Sequence, residues 1–467
     1  MRLSHIFVVI AATFLVASEA LLTTTDSTQA KISKVTSHAG PSQRMLRIHH
    51  TTDGGDDNSE ERTGGLTVVE RLKFSQMNKK RMTANDYAKK LDIAERMAEV
   101  ESTGRHVLEF QMTTGYAKYL TMVDEVMGQS LSGRPLIIED IRSEDENPGL
   151  APFEASLLRL LDRVTSGSHL EINETGTKLR YQPGLVLGGR LEHDCGTQRS
   201  VGWFLEVLAA LGPFAKLPLH ATLNGVTNDH VDLSVDSFKA TTLPLLRHFG
   251  IDEGLDFVVK KRGAPPLGGG QIIFKCPLVR ELRAVHLVDE GFIKRIRGVA
   301  YSTRVSPQTS NRIVDAGRGL FNKLLPDVYI YSDHYKGAES GQSPGFALSV
   351  VAETTTGVFL GAEAAAEPGD LPEDVATRAS HYLCEEINKG GCVDSTNQAL
   401  VLLLMALGPE DVAKVRFGKL TPYSIECLRH LRDFFGITFK IKPDPETKTV
   451  LLSCLGIGFK NLSKKVT

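Results

Sequence analysis

The stretch Arg262-Gly263-Ala264-Pro265-Pro266-Leu267-Gly268-Gly269-Gly270 joins two predicted strands, Leu255 to Lys260 and Gln271 to Cys276. Consecutive glycines allow backbone amides to approach phosphate oxygens, and the Arg262 guanidinium would balance their charge. The same residues equally suit a tight turn between strands. The sequence leaves both interpretations open, an anion site and a structural turn.

Outward from this loop, the chain after Leu131 alternates short strands, glycine turns and amphipathic helices. The predicted helices are Phe153 to Val164, Val201 to Leu211 and Val235 to Phe249. The further predicted strands are Pro135 to Asp140, His169 to Ile172 and Lys178 to Tyr181. This alternation predicts an α+β fold of repeated small β–α units.

Composition sets broad limits on the class of protein. The 467 residues are 41% hydrophobic and 24% charged, as in soluble globular proteins, and are enough for two or three domains. A formal net charge of −2 argues against strong general attraction to nucleic acid, although an average can hide a local basic surface. The 6 cysteines form no CxxC pair and predict neither a disulfide framework nor a metal site. We expect thiols in a reducing compartment.

The N-terminal third has a different texture from the rest. Residues 1–20 have the basic start, apolar run and small residues of a secretion signal. Residues 21–65, rich in Thr, Ser, Asp and Gly, predict a disordered leader, and residues 66–130 predict a short helical segment. No later run approaches the ~18 apolar residues of a membrane span, so no membrane contact is expected after signal cleavage.

Several motifs of the main segment occur together and in a fixed order. They are Leu131-Ser132-Gly133-Arg134-Pro135, Asn147-Pro148-Gly149-Leu150, the loop 262–270, Gly298-Val299-Ala300-Tyr301-Ser302-Thr303-Arg304-Val305-Ser306, Ser340-Gly341-Gln342-Ser343-Pro344-Gly345 and Gly456-Ile457-Gly458-Phe459-Lys460-Asn461. This series resembles the RNA 3′-terminal phosphate cyclase family, in its eukaryotic cyclase-like branch. The resemblance implies a core over 131–284 and 381–467 with a smaller inserted α/β domain over 285–380. It also implies candidate phosphate or RNA contacts at Arg262, Gly268, Gly269, Gly270 and Arg304.

The family's catalytic motif departs from its pattern in this chain. The true cyclases carry a nucleophilic histidine in a His-x-x-Asp-Gln motif, and the matching stretch here is Asp394-Ser395-Thr396-Asn397-Gln398. The histidine position therefore holds Asp394 and the aspartate position holds Asn397, while Gln398 is retained. An aspartate would form a labile acyl phosphate, a different intermediate that needs different activation. We predict no cyclase activity, no cofactor and no metal.

The leader carries a second resemblance. Arg44-Met45-Leu46-Arg47 is followed by an acidic spacer and Glu60-Glu61-Arg62. A secretion signal, this RxLR match and this EER match, in that order, resemble the leader of oomycete secreted effectors. The resemblance implies secretion followed by delivery into a host plant cell.

Two functions follow from these resemblances. The first is a translocated effector that suppresses defence-associated cell death through a non-catalytic domain, with unknown host plant proteins as partners, in the host nucleus, nucleolus or cytoplasm. The second is a nucleolar ribosome-biogenesis factor, with a ribosome-assembly GTPase or pre-rRNA as partner, whose leader would be a gene-model fusion near residue 130. The family's first strand is also unmatched over 116–130. Sequons at Asn173 and Asn461 would meet the glycosylation machinery during secretion.

Overall fold

The computed structural model describes residues 136–143, 145, 147–182, 184–461 and 464. The predicted signal peptide, the leader with its RxLR and EER motifs, the helical segment and the join near residue 130 lie outside these residues. Within them the chain has the mixed α+β fold that the sequence predicts. None of the helices in this part of the chain is long and apolar enough to cross a membrane.

The first unit is a three-stranded sheet with one helix. Its elements are β1 (Leu136–Ile138), α1 (Pro152–Val164), β2 (Thr165–Ser166), β3 (His169–Ile172), β4 (Leu179–Gln182) and β5 (Leu185–Val186). The strand order is β1-β4-β3, with antiparallel pairing throughout, and β2 pairs separately with β5. The helix begins at Pro152 as predicted within one residue, and the side chain of Glu154 accepts a hydrogen bond from the amide of Ala151 at 2.8 Å.

The second unit has a complete four-stranded sheet. Its elements are β6 (Gly188–Asp194), α2 (Val201–Leu211), a 3₁₀ turn (Gly212–Phe214), β7 (Leu217–Gly225), α3 (Val235–Ser237), a π-helical segment (Phe238–Thr242), α4 (Leu243–His248), β8 (Asp256–Lys261) and β9 (Gly270–Cys276). The order is β6-β7-β9-β8, in which β6 and β7 are parallel and the other pairs antiparallel. Ser200 caps the N-terminus of the crossover helix α2, because its hydroxyl accepts a hydrogen bond from the amide of Gly202.

After β10 (His286–Leu287) the chain builds a separate sheet. Its elements are β11 (Ile293–Thr303), α5 (Pro307–Phe321), β12 (Val328–Tyr335), a 3₁₀ turn (Gly337–Glu339), β13 (Gly345–Thr354), β14 (Phe359–Ala365) and α6 (Pro372–Lys389). The order is β12-β11-β13-β14. Side chains of α6, such as Val375 and Ala379, share one apolar cluster with Ile296 and Leu348 of the sheet.

The chain then returns to the sheet that β10 began. The remaining elements are α7 (Gln398–Leu407), β15 (Val412–Phe417), α8 (Pro422–Phe435), β16 (Lys440–Asp444) and β17 (Thr449–Leu455). The order β10-β15-β17-β16 repeats that of the second unit, with β10 and β15 parallel and the other pairs antiparallel. The first unit repeats the last three positions of this order. Among the described residues the first unit has no strand at the first position of this order.

The pairing and packing around the insertion favour bounds slightly later than the predicted 285 and 380. β10 pairs with β15 in the core sheet, so it belongs to the core and not to the insertion. Residue 380 falls inside α6, which packs on the inserted sheet. We therefore propose bounds near 288 and 390 for the insertion, because a packed helix is not divided between two domains.

The main core lies between the repeated sheets. Helices α2 and α7 read VGWFLEVLAAL and QALVLLLMAL, and nearly every side chain in both is buried. A helix that is apolar on all sides is stable only when neighbours surround it, as they do here. Each fully buried Leu or Val contributes about 1.5–3 kcal/mol. Helices α2 and α7 therefore fix how the second unit packs against the C-terminal unit, which contains the sheet β10-β15-β17-β16.

Candidate functional site

The degenerate cyclase motif lies immediately before and at the start of α7, and it is buried. Asp394 is 2% exposed. Its Oδ1 accepts from the amide of Asn397 at 2.9 Å and from Nδ2 of Asn397 at 2.8 Å, and its Oδ2 accepts from the amide of Gly361 at 3.3 Å. Asn397 in turn accepts from Thr242 Oγ1 at 2.7 Å and donates to Thr241 Oγ1 at 3.0 Å. Asp394 and Asn397 thus form one polar network with the π-helical segment.

Burial also changes the acidity of Asp394. It raises the pKa of this carboxyl group to about 6, although the hydrogen bonds from Asn397 act in the opposite direction. A nucleophile must reach its substrate, and this carboxylate is enclosed and accepts three hydrogen bonds. Asp394 therefore serves as a hydrogen-bond acceptor. Through Asn397 it connects α7 to the π-helical segment (Phe238–Thr242), and through Gly361 it connects to the inserted sheet.

Gln398 has a different role in the same motif. Its Oε1 accepts from the amide of Thr421 at 3.0 Å and from Ser424 Oγ at 2.8 Å, and its Nε2 donates to the carbonyl of Lys419 at 3.1 Å. These contacts attach the start of α7 to the start of α8. All three motif residues therefore hold neighbouring elements together through hydrogen bonds.

The glycine-rich loop makes close backbone contact with the loop before β13. The amide of Gly268 donates to the carbonyl of Ala264 at 2.9 Å, and its carbonyl accepts from the amide of Gln342 at 2.9 Å. A Cβ atom on Gly341 would lie 2.3 Å from the carbonyl oxygen of Gly268, and one on Gly270 would lie 2.5 Å from Thr227 Cγ2. Glycine is needed here because backbones meet without room for side chains. This geometry favours the structural turn, since the Gly268 amide is already engaged.

Arg262 is buried at 2% exposure between two carboxylates. Nη1 and Nη2 donate to Asp236 at 2.5 and 2.7 Å, and Nη2 donates to Asp333 at 3.0 Å. The guanidinium also lies 5.0 Å from the ring centre of Tyr301 and 5.6 Å from that of Tyr335. Burial alone would lower the pKa of Arg262, but the two aspartates hold it above its ordinary value. The positive charge of Arg262, a predicted phosphate contact, is thus already balanced by Asp236 and Asp333.

Arg304 differs from Arg262 because it is exposed. Its backbone has a φ of 53°, and its Nε donates to the carbonyl of Gly341. The exposed Gly269 also lies against the loop before β13. A Cβ atom on Gly269 would lie 3.1 Å from Gln342 Cγ. The structure therefore brings Arg304 next to Gly268 and Gly269 but separates Arg262 from solvent.

A third buried group, missed at the level of the sequence, lies where the insertion meets α3. Glu363 on β14 accepts from the amide of Ser234 at 2.8 Å, from Ser237 Oγ at 2.6 Å and from Ser349 Oγ at 3.1 Å. Burial raises its pKa, while hydrogen bonds from the serines oppose that shift. Ser234 and Glu363 are 129 positions apart, so no local pattern could indicate this contact.

The two sequons and the six cysteines differ in how far their side chains are exposed to solvent. Asn173 is exposed in the turn between β3 and β4, whereas Asn461 is 4% exposed and donates to the carbonyl of Ala215 at 3.0 Å. All six cysteines are free thiols, and only Cys384 is partly exposed. Within the described ranges no three His, Cys, Asp or Glu side chains are placed to hold a metal ion.

Repeated β–α units with sheets of the same strand order, together with an inserted α/β sheet, define a protein of the cyclase fold. Residues 125–441 match the model described as "RNA 3'-terminal phosphate cyclase", and residues 2–124 match the one described as "RXLR phytopathogen effector protein, Avirulence activity". The chain belongs to the RNA 3′-terminal phosphate cyclase family, and it carries an RxLR effector region before that domain.

Several relatives are similar over nearly their whole length. A "Probable RNA 3'-terminal phosphate cyclase-like protein" of Dictyostelium discoideum is 53% identical over 374 residues, which cover 77% of this chain and 99% of that protein. The "RNA 3'-terminal phosphate cyclase-like protein" of Homo sapiens is 57% identical over 72% of this chain and 93% of its own length. The "rRNA processing protein rcl1" of Schizosaccharomyces pombe is 40% identical over 76% of this chain and 100% of its own length.

Proposed function

We propose that this chain is a secreted effector that enters host plant cells and suppresses defence-associated cell death through a non-catalytic, cyclase-like binding domain. One observation carries the proposal, the presence of an effector region over 2–124 directly before a cyclase domain over 125–441 in a single chain. The effector region contains Arg44 to Arg47 and Glu60 to Arg62 in the order of a delivery leader.

The buried motif supports a binding role for the domain. Asp394 occupies the histidine position, is 2% exposed and accepts hydrogen bonds from Asn397 and Gly361. Phosphoryl or adenylyl transfer to a side chain requires an accessible nucleophile. The relatives in Dictyostelium discoideum and Homo sapiens are named as cyclase-like proteins. We infer that the domain recognises its partners and does not transfer nucleotides.

The binding partners we propose for this chain are taken from its relatives. The relative in Schizosaccharomyces pombe is named an rRNA processing protein. An effector built on this domain would compete with the host's own relative for pre-rRNA or for a ribosome-assembly GTPase, or it would bind other host proteins. Its site of action would then be the host nucleus or nucleolus.

The test is expression in plant leaves together with a cell-death elicitor. A chain that lacks only residues 1–20 is expected to reduce elicitor-induced ion leakage relative to an inactive reporter protein. The matched control is the relative of the host plant, expressed at the same level. Unchanged cell death, combined with no secretion of the tagged full chain by the organism that makes it, would reject the proposal.

A second candidate, a resident ribosome-biogenesis factor, has one observation in its favour. The alignments cover 99% and 100% of the lengths of two relatives, and one of these is named an rRNA processing protein. This candidate requires the leader to be a separate gene product. Transcript reads that stop between residues 120 and 140 would favour it, whereas continuous reads support the effector.

A further inference from the structure

The outer face of the C-terminal sheet carries a cluster of cations, here called the basic face: Lys414, Arg416, Lys440 and Lys442. Cross-strand register places Ser453 opposite both Lys414 and Lys440, and Leu451 opposite both Arg416 and Lys442. Residues directly opposite in a sheet project on the same side, so these four cations share one face. Ala413, Val415 and Leu452 alternate with them and are buried in the core.

Three of these cations are not neutralised. Arg416 is paired with Asp444 at 2.9 Å. Lys414, Lys440 and Lys442 are exposed and have no ion-pair partner within the part of the chain that the structure describes. His286 lies opposite Lys414 at the far edge and extends the same row. The protein's net charge of −2 therefore conceals a local concentration of positive charge.

Protection of the sheet edge does not explain the whole cluster. Lysine and proline on an outer strand discourage pairing with other chains, which accounts for Lys440, Lys442 and Pro443 on β16. Lys414 and Arg416 lie on β15, which has β10 on one side and β17 on the other. An interior strand has no free edge to protect, so another reason is needed for cations there.

The equivalent sheet of the second unit provides an internal comparison. At the positions that match the row of Lys414 and Lys440, it carries His220 and Asp256 together with Lys275. There, Lys275 and Asp256 form an ion pair at 2.8 Å, and Arg190, opposite His220 on β6, adds one further cation at the far end of the row. In the C-terminal sheet, Ser453 stands in the place of Lys275 and Lys440 in the place of Asp256. The two repeats share a fold but differ in this surface.

The composition of the basic face discriminates between kinds of partner. Protein interfaces are enriched in aromatic residues and depleted in lysine. None of the outward-facing positions on β15, β16 and β17 carries Phe, Tyr or Trp. These positions are Val412, Lys414, Arg416, Lys440, Lys442, Asp444, Leu451, Ser453 and Leu455. Lys414 and Lys440 are two strand spacings apart, about 10 Å, and Lys440 and Lys442 are about 7 Å apart. A series of point charges at such spacings suits a chain of phosphates better than a single anion.

We infer that the basic face binds RNA through its phosphate backbone, without reading the base sequence. This rests on the proposed function only in taking the domain as a binding module. Contacts of this kind are electrostatic, so their strength falls as salt rises. The face is formed by β15, β16 and β17, and none of its four cations is hydrogen-bonded to Asp394, Asn397 or Gln398.

The test compares two triple variants of the full chain for binding to a fluorescein-labelled oligouridylate over a range of salt concentrations. The first carries Lys414→Ala, Lys440→Ala and Lys442→Ala. The matched control carries Lys260→Ala, Lys261→Ala and Lys323→Ala, which remove the same charge from exposed positions elsewhere. We expect the first variant to lose at least about tenfold in affinity and to lower the salt slope by about 2, because each lost phosphate contact removes ~0.7. The control should bind as the unaltered chain does.

Several results would overturn this inference. Equal losses in both variants would mean that total charge matters and the face does not, and unchanged binding in the first variant would exclude the face. Tighter binding of polyglutamate than of RNA, with the same dependence on the three lysines, would assign the face to an acidic protein. Circular dichroism of each variant checks that it folds. Loss of RNA binding only in the first variant, in a chain that fails to suppress cell death, would support this inference while rejecting the proposed effector function.

Discussion

At the scale of single residues, Asp394 of the degenerate motif and Arg262, the candidate phosphate contact, are both buried and bonded inside the protein. Asp394 accepts hydrogen bonds from Asn397 and Gly361, and Arg262 binds Asp236 and Asp333. Removing one partner of a buried ion pair costs far more than the pair contributes in net terms, because an uncompensated charge remains. Both residues are therefore expected to resist substitution even in a protein without enzymatic activity.

The raised pKa of Asp394 predicts a specific pH dependence of stability. Its folded value of about 6 lies above the ordinary value of 3.8, so the folded state binds this proton more tightly than the unfolded state. The resulting stabilisation is complete below about pH 4 and is lost as pH rises through 6. Relative to Asp394→Asn, the unaltered chain should lose about 2.4 kcal/mol of unfolding free energy between pH 4 and pH 7, which is most of the ~3 kcal/mol that the full pKa shift represents.

Urea unfolding of both chains at several pH values measures this difference. Using the variant as reference cancels the titration of every other group, including Glu363. A difference that stays constant with pH would show that Asp394 titrates normally and is therefore not enclosed as described.

At the scale of elements, the contact between the glycine-rich loop and the loop before β13 joins the core to the insertion. The two loops approach through their backbones, with the amide of Gln342 donating to the carbonyl of Gly268 and the amide of Leu267 donating to Ser343 Oγ at 3.0 Å. Nearby, Glu363 and Asp333 carry polar contacts across the same boundary. Together these contacts hold the inserted sheet at one position against α3 and β8.

This contact predicts different effects for two Gly→Ala substitutions. A Cβ at Gly341 would lie 2.3 Å from the Gly268 carbonyl oxygen and 2.6 Å from that of Arg262, and neither backbone can move freely. Gly341→Ala should therefore destabilise the protein by at least about 1–3 kcal/mol. Gly319 is in α5 with nothing within 4 Å of the added atom, so Gly319→Ala should be neutral or stabilise by about 0.5–1 kcal/mol. Thermal unfolding measures both, and equal melting temperatures would contradict the described contact.

At the scale of the whole molecule, a cyclase domain over 125–441 follows an RxLR effector region over 2–124. Five of its cysteines are buried as free thiols, and burial raises the pKa of Cys427 to about 12. Such thiols are little ionised and react slowly, which suits passage through an oxidising compartment without unwanted disulfides. In a secreted chain the two sequons, at Asn173 and Asn461, would meet the same compartment with different exposure.

Secretion therefore predicts glycosylation at one sequon of the folded protein. Asn173 is exposed in a turn and can carry a glycan, while the Asn461 amide donates to the carbonyls of Pro213 and Ala215 inside the domain. Mass spectrometry of the secreted, folded chain should find a glycan at Asn173 and none at Asn461. The Asn173→Gln variant should then run at the mass of the bare chain. A glycan at Asn461 in folded protein would contradict the buried position of this residue.

The sequence by itself determined the α+β class, the family, the effector region and the bounds of helices such as Val201–Leu211, because these depend on local periodicity and on short motifs. The tertiary structure alone decided that Arg262 is neutralised by Asp333, 71 positions away, and that Glu363 is held by Ser234. It also decided that α6 packs on the inserted sheet and that Lys414 and Lys440 share a face. Such facts depend on which distant segments meet, and a linear pattern carries no record of those contacts.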